Sequence, residues 1–307
     1  MLAVFLTTFC ENENRIAGSM IVTQSTAFPC RFLTHNIRHE TSSPFEGEQL
    51  WAERRDPLLR ELVYHTRNLD AFVCLQEVLH SQLVDIENGL AGVVGEQWEY
   101  IGVGRDDGLT EGEYSPIFYR PAVWNLRHWE TVWLSETPEV PSKGWDASSI
   151  RIVTIGVFTH RIGGHTVLLM NTHFDDQGSL ARSGAAHLVL RKTREYQQGL
   201  FGHELTGVFL AGDLNSEQHQ EAYQVLTSSH SPLLDTASHA PGLAQYGDWI
   251  TWTGFGHEPE PPSRLDYVFL SRQSPWRIQG HAVLPNRFED GVFLSDHRAV
   301  VLDVAKV

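Results

Sequence analysis

Polar side chains with catalytic potential repeatedly stand where a short apolar segment of the chain ends. The groups in this position are Asn36, Gln76 with Glu77, Asn171 with His173, Asp213 with Asn215, Asp266, and Asp296 with His297. In α/β enzymes, sites are built at the sheet edge where several strand ends meet. A solitary Asp after a strand is usually a turn or a helix cap. The repetition along this chain therefore predicts one composite polar site.

The carboxylates of this set indicate a divalent cation that prefers oxygen ligands. The acids concerned are Glu77, Asp213, Asp266 and Asp296. Carboxylate oxygens suit Mg²⁺ or Mn²⁺ better than Zn²⁺. If these acids converge, their mutual repulsion requires a cation or hydrogen-bond donors nearby. Taken alone, Glu77 would instead be read as an acid at the start of a helix.

Two histidines and two asparagines complete the predicted chemistry. His173 and His297 each stand next to an apolar segment and could donate to a phosphate oxygen or act as a base beside a carboxylate. Asn36 and Asn215 could donate to a phosphate oxygen, or cap a turn. Since the chain has 16 histidines, a structural role is the default for the others, among them His35, His39, His80, His128 and His160.

Alternating apolar and amphipathic segments must position these groups. Strands are predicted at 31–34, 71–75, 98–103, 116–119, 151–159, 165–170, 207–211, 265–270, 281–284 and 299–304, and helices near 49–68, 79–92, 179–203 and 217–228. Strands with helices distributed between them predict an α/β fold. We expect a single catalytic domain over 29–307, preceded by a loosely ordered extension over 1–28.

Charge and composition limit the partners of the protein. The formal charge is −15, and only three lysines are present. Strong duplex nucleic-acid binding is not expected, because it depends on a basic surface that displaces counterions. A local group of arginines could still bind one phosphate.

Cysteine usage and hydropathy predict the compartment. The three cysteines, Cys10, Cys30 and Cys74, lack zinc-type spacing and indicate free thiols. The apolar start over 1–10 has no basic flank, and no convincing cleavage site follows it. A cytoplasmic location is predicted, with secretion as the alternative. No later run reaches the roughly 18 apolar residues of a transmembrane segment.

Seven blocks in fixed order resemble the endonuclease/exonuclease/phosphatase superfamily, which contains DNase I-like nucleases, abasic-site endonucleases, deadenylases and inositol phosphatases. The blocks are Thr34-His-Asn36, Leu75-Gln-Glu77, Glu113-Tyr-Ser-Pro-Ile-Phe-Tyr-Arg120, Asn171-Thr-His173, Gly212-Asp-Leu-Asn215, Arg264-Leu-Asp-Tyr267 and Ser295-Asp-His297. The resemblance implies a four-layer α/β sandwich of two facing mixed β-sheets flanked by helices. It also implies Mg²⁺, with Mn²⁺ as the alternative cofactor.

The same resemblance implies a role for each site residue. Glu77 would be the principal metal ligand, with Asn36 and Asp296 beside the same ion. Asp213 would orient or deprotonate the attacking water, or protonate the leaving group. The phosphoryl oxygens would be held by Asn215 and His173. A pair formed by His297 and Asp266 would stabilise the transition state.

Substrate contacts are predicted with alternatives. Glu113 resembles the acid of the deadenylase and related phosphodiesterase branch, and residues 104–108 are similar to small microbial members. Candidate phosphate clamps are Arg105, Arg120 and Arg264, of which Arg264 could equally pair with a neighbouring acid. Trp252, together with Trp249, could form a stacking wall, or serve core packing or a lid.

The sequence leaves three function classes to compare. The leading prediction is a phosphodiesterase acting on a small or single-stranded nucleotide substrate. The alternative is a phosphomonoesterase acting on a small metabolite, such as a phosphosugar, a phosphoinositide or a lipid-derived phosphate. A catalytically inactive binding module is a third class, disfavoured because the catalytic residue types are all present. Cleavage polarity, one metal against two, and oligomeric state stay open.

Overall fold

Strands and helices alternate along the part of the chain that the computed structural model describes, residues 27–92, 95–257 and 259–307. The strands are β1 (Phe28–Asn36), β2 (Ala71–Gln76), β3 (Glu99–Ile101), β4 (Ile117–Tyr119), β5 (Trp124–Trp133), β6 (Ile152–His160), β7 (Thr166–His173), β8 (Leu205–Asp213), β9 (Leu233–Asp235), β10 (Gln245–Gly247), β11 (Asp266–Ser271), β12 (Trp276–Val283) and β13 (Val300–Lys306). The helices are α1 (Trp51–Thr66), α2 (His80–Ala91), α3 (Ser179–Gln198) and α4 (Glu221–Thr227).

The strands form two mixed sheets, as the resemblance implies. One has the order β10-β12-β13-β1-β2-β4-β3 and the other the order β5-β6-β7-β8-β11-β9. Aromatic side chains such as Phe32, Phe158 and Phe209 belong to the core between the sheets. Leu58 and Leu83 of α1 and α2 cover the outer face of the first sheet. Leu188 and Leu226 of α3 and α4 cover the second. The predicted four-layer sandwich is therefore confirmed.

Strand direction brings the predicted polar groups to one edge. β1 and β2 are parallel, with Asn36 opposite Gln76, and β7 and β8 are parallel, with His173 opposite Asp213. β11 runs antiparallel to β8, so its first residue, Asp266, pairs with Asp213. We call this end of the two sheets the polar edge. The opposite edge contains Phe28, Trp124, His160 and Trp276, at the other ends of β1, β5, β6 and β12.

One close backbone approach makes this edge possible. Gly212 in β8 has a φ of +141°, and a Cβ atom at this position would lie 2.0 Å from the carbonyl oxygen of Thr172 in β7. Only glycine fits both constraints. The approach places His173 and Asp213 side by side.

Several predictions are outside or only partly within the described structure. Residues 1–26, including Cys10, lie outside the described residues, so the division into an extension over 1–28 and a domain over 29–307 stays a prediction; β1 already begins at Phe28. Cys30 and Cys74 are free, as predicted, and both are buried. Among the helices of the described ranges, none has the length and apolar character needed to cross a membrane.

Candidate active site

A pocket of about 740 Å³ opens at the polar edge. Nine predicted site residues line it: Glu77, Arg105, Glu113, His173, Asp213, Asn215, Trp252, Asp296 and His297. Asn36 and Asp266 are fully buried directly behind them and bond to lining residues. The groups predicted from six different segments of the chain thus meet in one cavity.

Asn36 links the two sheets at the base of the pocket. Its Nδ2 donates to Glu77 Oε1 at 2.9 Å and to Asp213 Oδ2 at 3.0 Å. The Asn36 side-chain oxygen accepts from the backbone N–H of Arg38 at 3.0 Å. Because both neighbouring carboxylates accept from one amide, the distance between them is fixed by the end of β1.

Three residues that follow strands at this edge adopt a left-handed backbone conformation. The φ angles are +57° at Arg38, +58° at Glu77 and +45° at Asn215. Side chains other than glycine adopt this region at a cost of order 1 kcal/mol or more each. The turns direct Glu77 and Asn215 into the pocket directly after β2 and β8, where a continued strand would carry them past it.

A chain of buried titratable groups runs from Asp266 through His297 to Asp213. His297 Nδ1 lies 2.8 Å from Asp266 Oδ2, and Nε2 lies 3.6 Å from Asp213 Oδ2. Burial alone would lower the pKa of His297, but the charges of Asp266, Asp213 and Asp296 raise it well above its usual value. Burial and the charge of Asp266 raise the pKa of Asp213. A protonated His297 therefore faces a buried Asp213 that holds a proton more readily than an exposed acid.

His173 is held from two sides. Its Nδ1 faces the guanidinium of Arg151 at 3.0 Å, and its Nε2 lies 2.9 Å from Asn215 Nδ2. Arg151 is itself bound to Asp175 and Asp176. The ring of His173 is therefore fixed between the second sheet and the loop that follows β7.

The wall nearest β2 contains ion pairs. Arg105 Nη1 lies 2.7 Å from Glu113 Oε2, and His39 Nδ1 lies 2.7 Å from Glu77 Oε2. Burial works to raise the pKa of Glu77, but the hydrogen bond from His39 and the charges of His173 and Arg38 lower it well below its usual range. The hydrogen bond to Glu77 raises the pKa of His39. Glu77 is thus ionised at neutral pH.

Two predicted substrate residues do not reach the pocket, and both predictions need correction. Arg120 lies at the opposite edge, where it pairs with Glu96, donates to the carbonyl of Thr66 and stacks 4.0 Å over Trp98. Arg264 is buried and forms a two-pronged pair with Asp235 at 2.8 and 2.9 Å, which is the structural alternative left open for it. A guanidinium that is buried, paired with an acid and outside the pocket cannot bind a phosphate there.

Sequence reasoning missed several lining residues: Arg38, His39, Phe45, Ser149, Arg151, Asp176, Gln177, Glu217, Gln220 and Glu260. His39 was given a structural default; its ring lines the pocket and lies 2.7 Å from Glu77 Oε2. A signal was available for His39, since it follows Asn36 by three residues. Arg151 directly precedes β6 and is the first residue of the predicted strand 151–159, so the reasoning that found Asp266 at a strand start could have included it.

The donor set fits a hard divalent cation. Buried Asp266 has one carboxylate oxygen, Oδ1, without a hydrogen-bond partner in the described part of the chain. Ligand atoms of Asp213, Asp266 and His297 lie within 4.8 Å of one another. We nevertheless favour Glu77, because a protonated His297 bound to Asp266 has no lone pair to offer a metal. The ionised Glu77, with Asn36 and Asp296, provides the oxygen donors that Mg²⁺ prefers.

Comparison with known proteins gives a consistent assignment. The model of the Endonuclease/Exonuclease/phosphatase family matches residues 33–297. Among curated proteins, none matches the chain. A structure of an endonuclease/exonuclease/phosphatase from Bacteroides vulgatus is 32% identical, covering 90% of this chain and 98% of that chain with a TM-score of 0.78.

Two further solved structures extend the comparison. A mannosyl-6-phosphatase of Bacteroides thetaiotaomicron is 30% identical, covering 90% of this chain and 99% of that chain with a TM-score of 0.77. The catalytic domain of human Nocturnin is 18% identical, covering 90% of this chain and 94% of that chain with a TM-score of 0.66, which shows a shared fold.

Proposed function

This chain belongs to the endonuclease/exonuclease/phosphatase family, and on that premise we propose that it is a Mg²⁺-dependent phosphomonoesterase acting on a small polyhydroxylated metabolite such as a sugar phosphate. Members of the family are hydrolases of phosphoester bonds. The proposal adds three features to the family assignment: the metal, the type of ester and the leaving group.

The charge balance of the pocket supports the metal requirement and is the observation that carries the proposal. Seven acids but only three arginines line the cavity. Each arginine is already paired: Arg38 with Glu48, Arg105 with Glu113, and Arg151 with Asp176. A phosphate dianion entering this site would be repelled unless a cation accompanied it. A bound Mg²⁺ would polarise a phosphoryl oxygen and stabilise the departing oxyanion.

The chain's own residues then have distinct tasks. Glu77, Asn36 and Asp296 would hold the cation. Protonated His297, fixed by Asp266, would donate to a phosphoryl oxygen, and His173 with Asn215 would orient the phosphoryl group from the other side. Asp213 lies between them and would move the proton of the attacking water or of the leaving oxygen, which requires a pKa nearer to neutral than that of an exposed acid.

The outer part of the pocket favours an uncharged, hydroxyl-rich leaving group. Glu217 and Glu260 line it without a basic partner among the described residues. Free carboxylates accept hydrogen bonds from hydroxyl groups and repel further phosphates. Phe45 and Trp252 line the same cavity and offer apolar surface for a ring. The name of the related Bacteroides mannosyl-6-phosphatase points to the same substrate class.

A phosphodiester substrate, the leading prediction from the sequence, is the second candidate. The observation in its favour is that Trp252 lines the pocket beside His297, where an indole could stack on a base. Against it, the arginines at the pocket are paired with acids, which leaves little attraction for a polyanion.

Parallel hydrolysis assays separate the two candidates. p-Nitrophenyl phosphate, bis-p-nitrophenyl phosphate, mannose 6-phosphate and a short oligodeoxynucleotide would be tested with Mg²⁺, with Mn²⁺ and with EDTA, using Asp213→Asn as the blank. The proposal expects metal-dependent release of phosphate from the monoesters at least tenfold faster than diester cleavage. Faster diester cleavage would replace it with the second candidate. No hydrolysis of any substrate would favour the inactive binding module.

A further inference from the structure

We infer that His35 and Glu61, two buried residues outside the pocket, are a positioning pair that holds His297 in place for the reaction. The inference rests on the proposed function, since it concerns the same site. The pair lies on the outer face of the first sheet, between β1 and α1, and contacts the backbone of His297 rather than any substrate.

The contacts of His35 and Glu61 are well defined and buried from solvent. His35 Nε2 lies 3.2 Å from the carbonyl oxygen of His297. On the other side of the ring, His35 Nδ1 faces Glu61 Oε1 at 3.1 Å, although the geometry there does not make a hydrogen bond. The side chains of His35 and Glu61 are 0% and 4% exposed. Buried polar groups destabilise a fold unless they have partners, and the hydrogen bond that the His35 ring makes is the one to the His297 carbonyl.

The chemistry of the two groups shows which one is the hydrogen-bond donor. A carbonyl oxygen only accepts, so His35 Nε2 must carry a hydrogen and donate it to His297. On the far side of the ring, the Glu61 carboxylate lies against Nδ1 and limits how the ring can turn.

His35 supplies one of several hydrogen bonds that hold the segment 295–297, another being the bond from Asn286 Nδ2 to the carbonyl of Ser295. Ser295 Oγ donates to the carbonyl of Asn36 at 2.6 Å, and Thr253 donates to the carbonyl of Asp296 through its backbone N–H at 2.7 Å. His35 contributes the only one of these anchors that reaches His297 itself. Loss of this anchor would leave the His297 side chain attached through Asp266 but its backbone less restrained.

The position of His35 on β1 explains why this link matters. Successive side chains of a strand point to opposite faces, so Asn36 reaches into the site while His35 reaches back to the helix layer. The same strand therefore sets the base of the pocket and the placement of His297. A displacement of about 1 Å in a catalytic group can lower the rate by roughly a hundredfold.

Two matched variants test the inference. His35→Gln places an amide N–H near the position of Nε2, within reach of the His297 carbonyl, whereas the shorter amide of His35→Asn reaches only toward Glu61. His281→Asn removes another buried histidine that lies away from the pocket and serves as the control. Two readouts are taken: amide hydrogen exchange at His297 and Arg298, and the kcat and KM for p-nitrophenyl phosphate.

We expect His35→Asn to exchange these two amides at least tenfold faster than the wild type and to lose about tenfold in kcat, with KM within twofold. His35→Gln should restore most of both losses, and the control should change neither. Unchanged exchange in a folded His35→Asn protein would overturn the inference. If that variant does not fold, Glu61→Gln replaces it, and unchanged exchange there has the same meaning.

The exchange readout needs no substrate. An inactive wild type with the expected exchange pattern would therefore defeat the proposed function and leave the positioning role intact.

Discussion

The two edges of the sandwich are built from similar residue types but have different uses. At the polar edge, His173 and His297 stand beside carboxylates around an open pocket. At the opposite edge, His160 pairs with Asp70 at 3.1 Å and stacks on His165 with 4.7 Å between ring centroids. Histidines, acids and large aromatics are present at both ends. Residue type alone therefore does not separate a site from a structural cluster.

The difference lies in what surrounds each group. Trp124 and Trp276 pack edge-on against His165, and within the described residues neither nitrogen of that ring has a hydrogen-bond partner. Burial and the proximity of His160 lower the pKa of His165 to about 4. Three nearby acids raise the pKa of His297. Acids that converge on an open pocket make chemistry available, whereas space filled by aromatic side chains removes it.

The largest expected effect is at the centre of the polar edge. Asp213→Asn should lower kcat by about a thousandfold or more, because the amide cannot move a proton between water and the leaving oxygen. Its melting temperature should stay the same or rise, since burial disfavours the charge of Asp213. The measurements are steady-state kinetics and thermal unfolding. A large fall in melting temperature would mean that Asp213 is mainly structural.

Loss of the predicted metal ligand should have a smaller and different effect. Glu77→Gln should raise the Mg²⁺ concentration for half-maximal activity by at least about tenfold, because an ionised oxygen ligand is replaced by a neutral one. A magnesium titration of kcat checks this, with Glu111→Gln as a control at an exposed acid. An unchanged magnesium requirement would indicate that the metal binds near Asp213 and Asp266 instead of Glu77.

At the opposite edge, removal of a charge should affect stability and leave catalysis unchanged. Arg120→Met leaves Glu96 and the Thr66 carbonyl without their partner and should cost about 3 kcal/mol of unfolding free energy. For a chain of this size, that is roughly 5 °C in melting temperature. The kcat of the folded variant should stay within twofold of the wild type. A loss of kcat without a loss of stability would support the original prediction that Arg120 contacts the substrate.

The smallest expected effect concerns acid stability. The pKa of His165 is about 4 in the folded chain, below its value of about 6.5 in the unfolded chain. The unfolded chain therefore binds more protons between these values, so stability is complete above pH 6.5 and falls as the pH drops toward 4. Between pH 7 and pH 5 the loss should be about 2 kcal/mol. In denaturant unfolding, the free energy of unfolding of His165→Phe should depend correspondingly less on pH. The same pH dependence in wild type and variant would contradict the lowered pKa of His165.

Much of the fold could be predicted because its central strands are buried on both faces. Continuous apolar runs such as 167–170 and 208–211 are typical of such strands, and the polar residues after them mark the ends. β5 was missed because it lies at the edge of the second sheet. Its sequence from Trp124 to Trp133 mixes exposed Arg and His and a half-buried Glu with its aromatics. The short strands β9 and β10 also lack a distinct pattern.

The site was predictable to the extent that strand ends determine it. Asn36, His173 and Asp213 are placed by the register of neighbouring strands, and alternation of polar and apolar residues shows where each strand stops. The predictions for Arg120 and Arg264 were wrong because the sequence does not show whether an acid elsewhere in the chain already pairs with the guanidinium. Asp235, the partner of Arg264, is 29 residues away in the chain. Only tertiary structure shows that contact.

The pairing of β1 with β13 also bears on how the protein is made. Phe28 lies opposite Lys306 and Thr34 opposite Val300. The first described strand therefore lacks one of its two neighbours in the sheet until the last strand has been synthesised. His297 immediately precedes that final strand. During synthesis, a nascent chain would emerge from the ribosome with most of its sandwich but without a working centre. Hydrolysis would begin only when these two distant segments meet, and the slow step in maturation would be that long-range encounter.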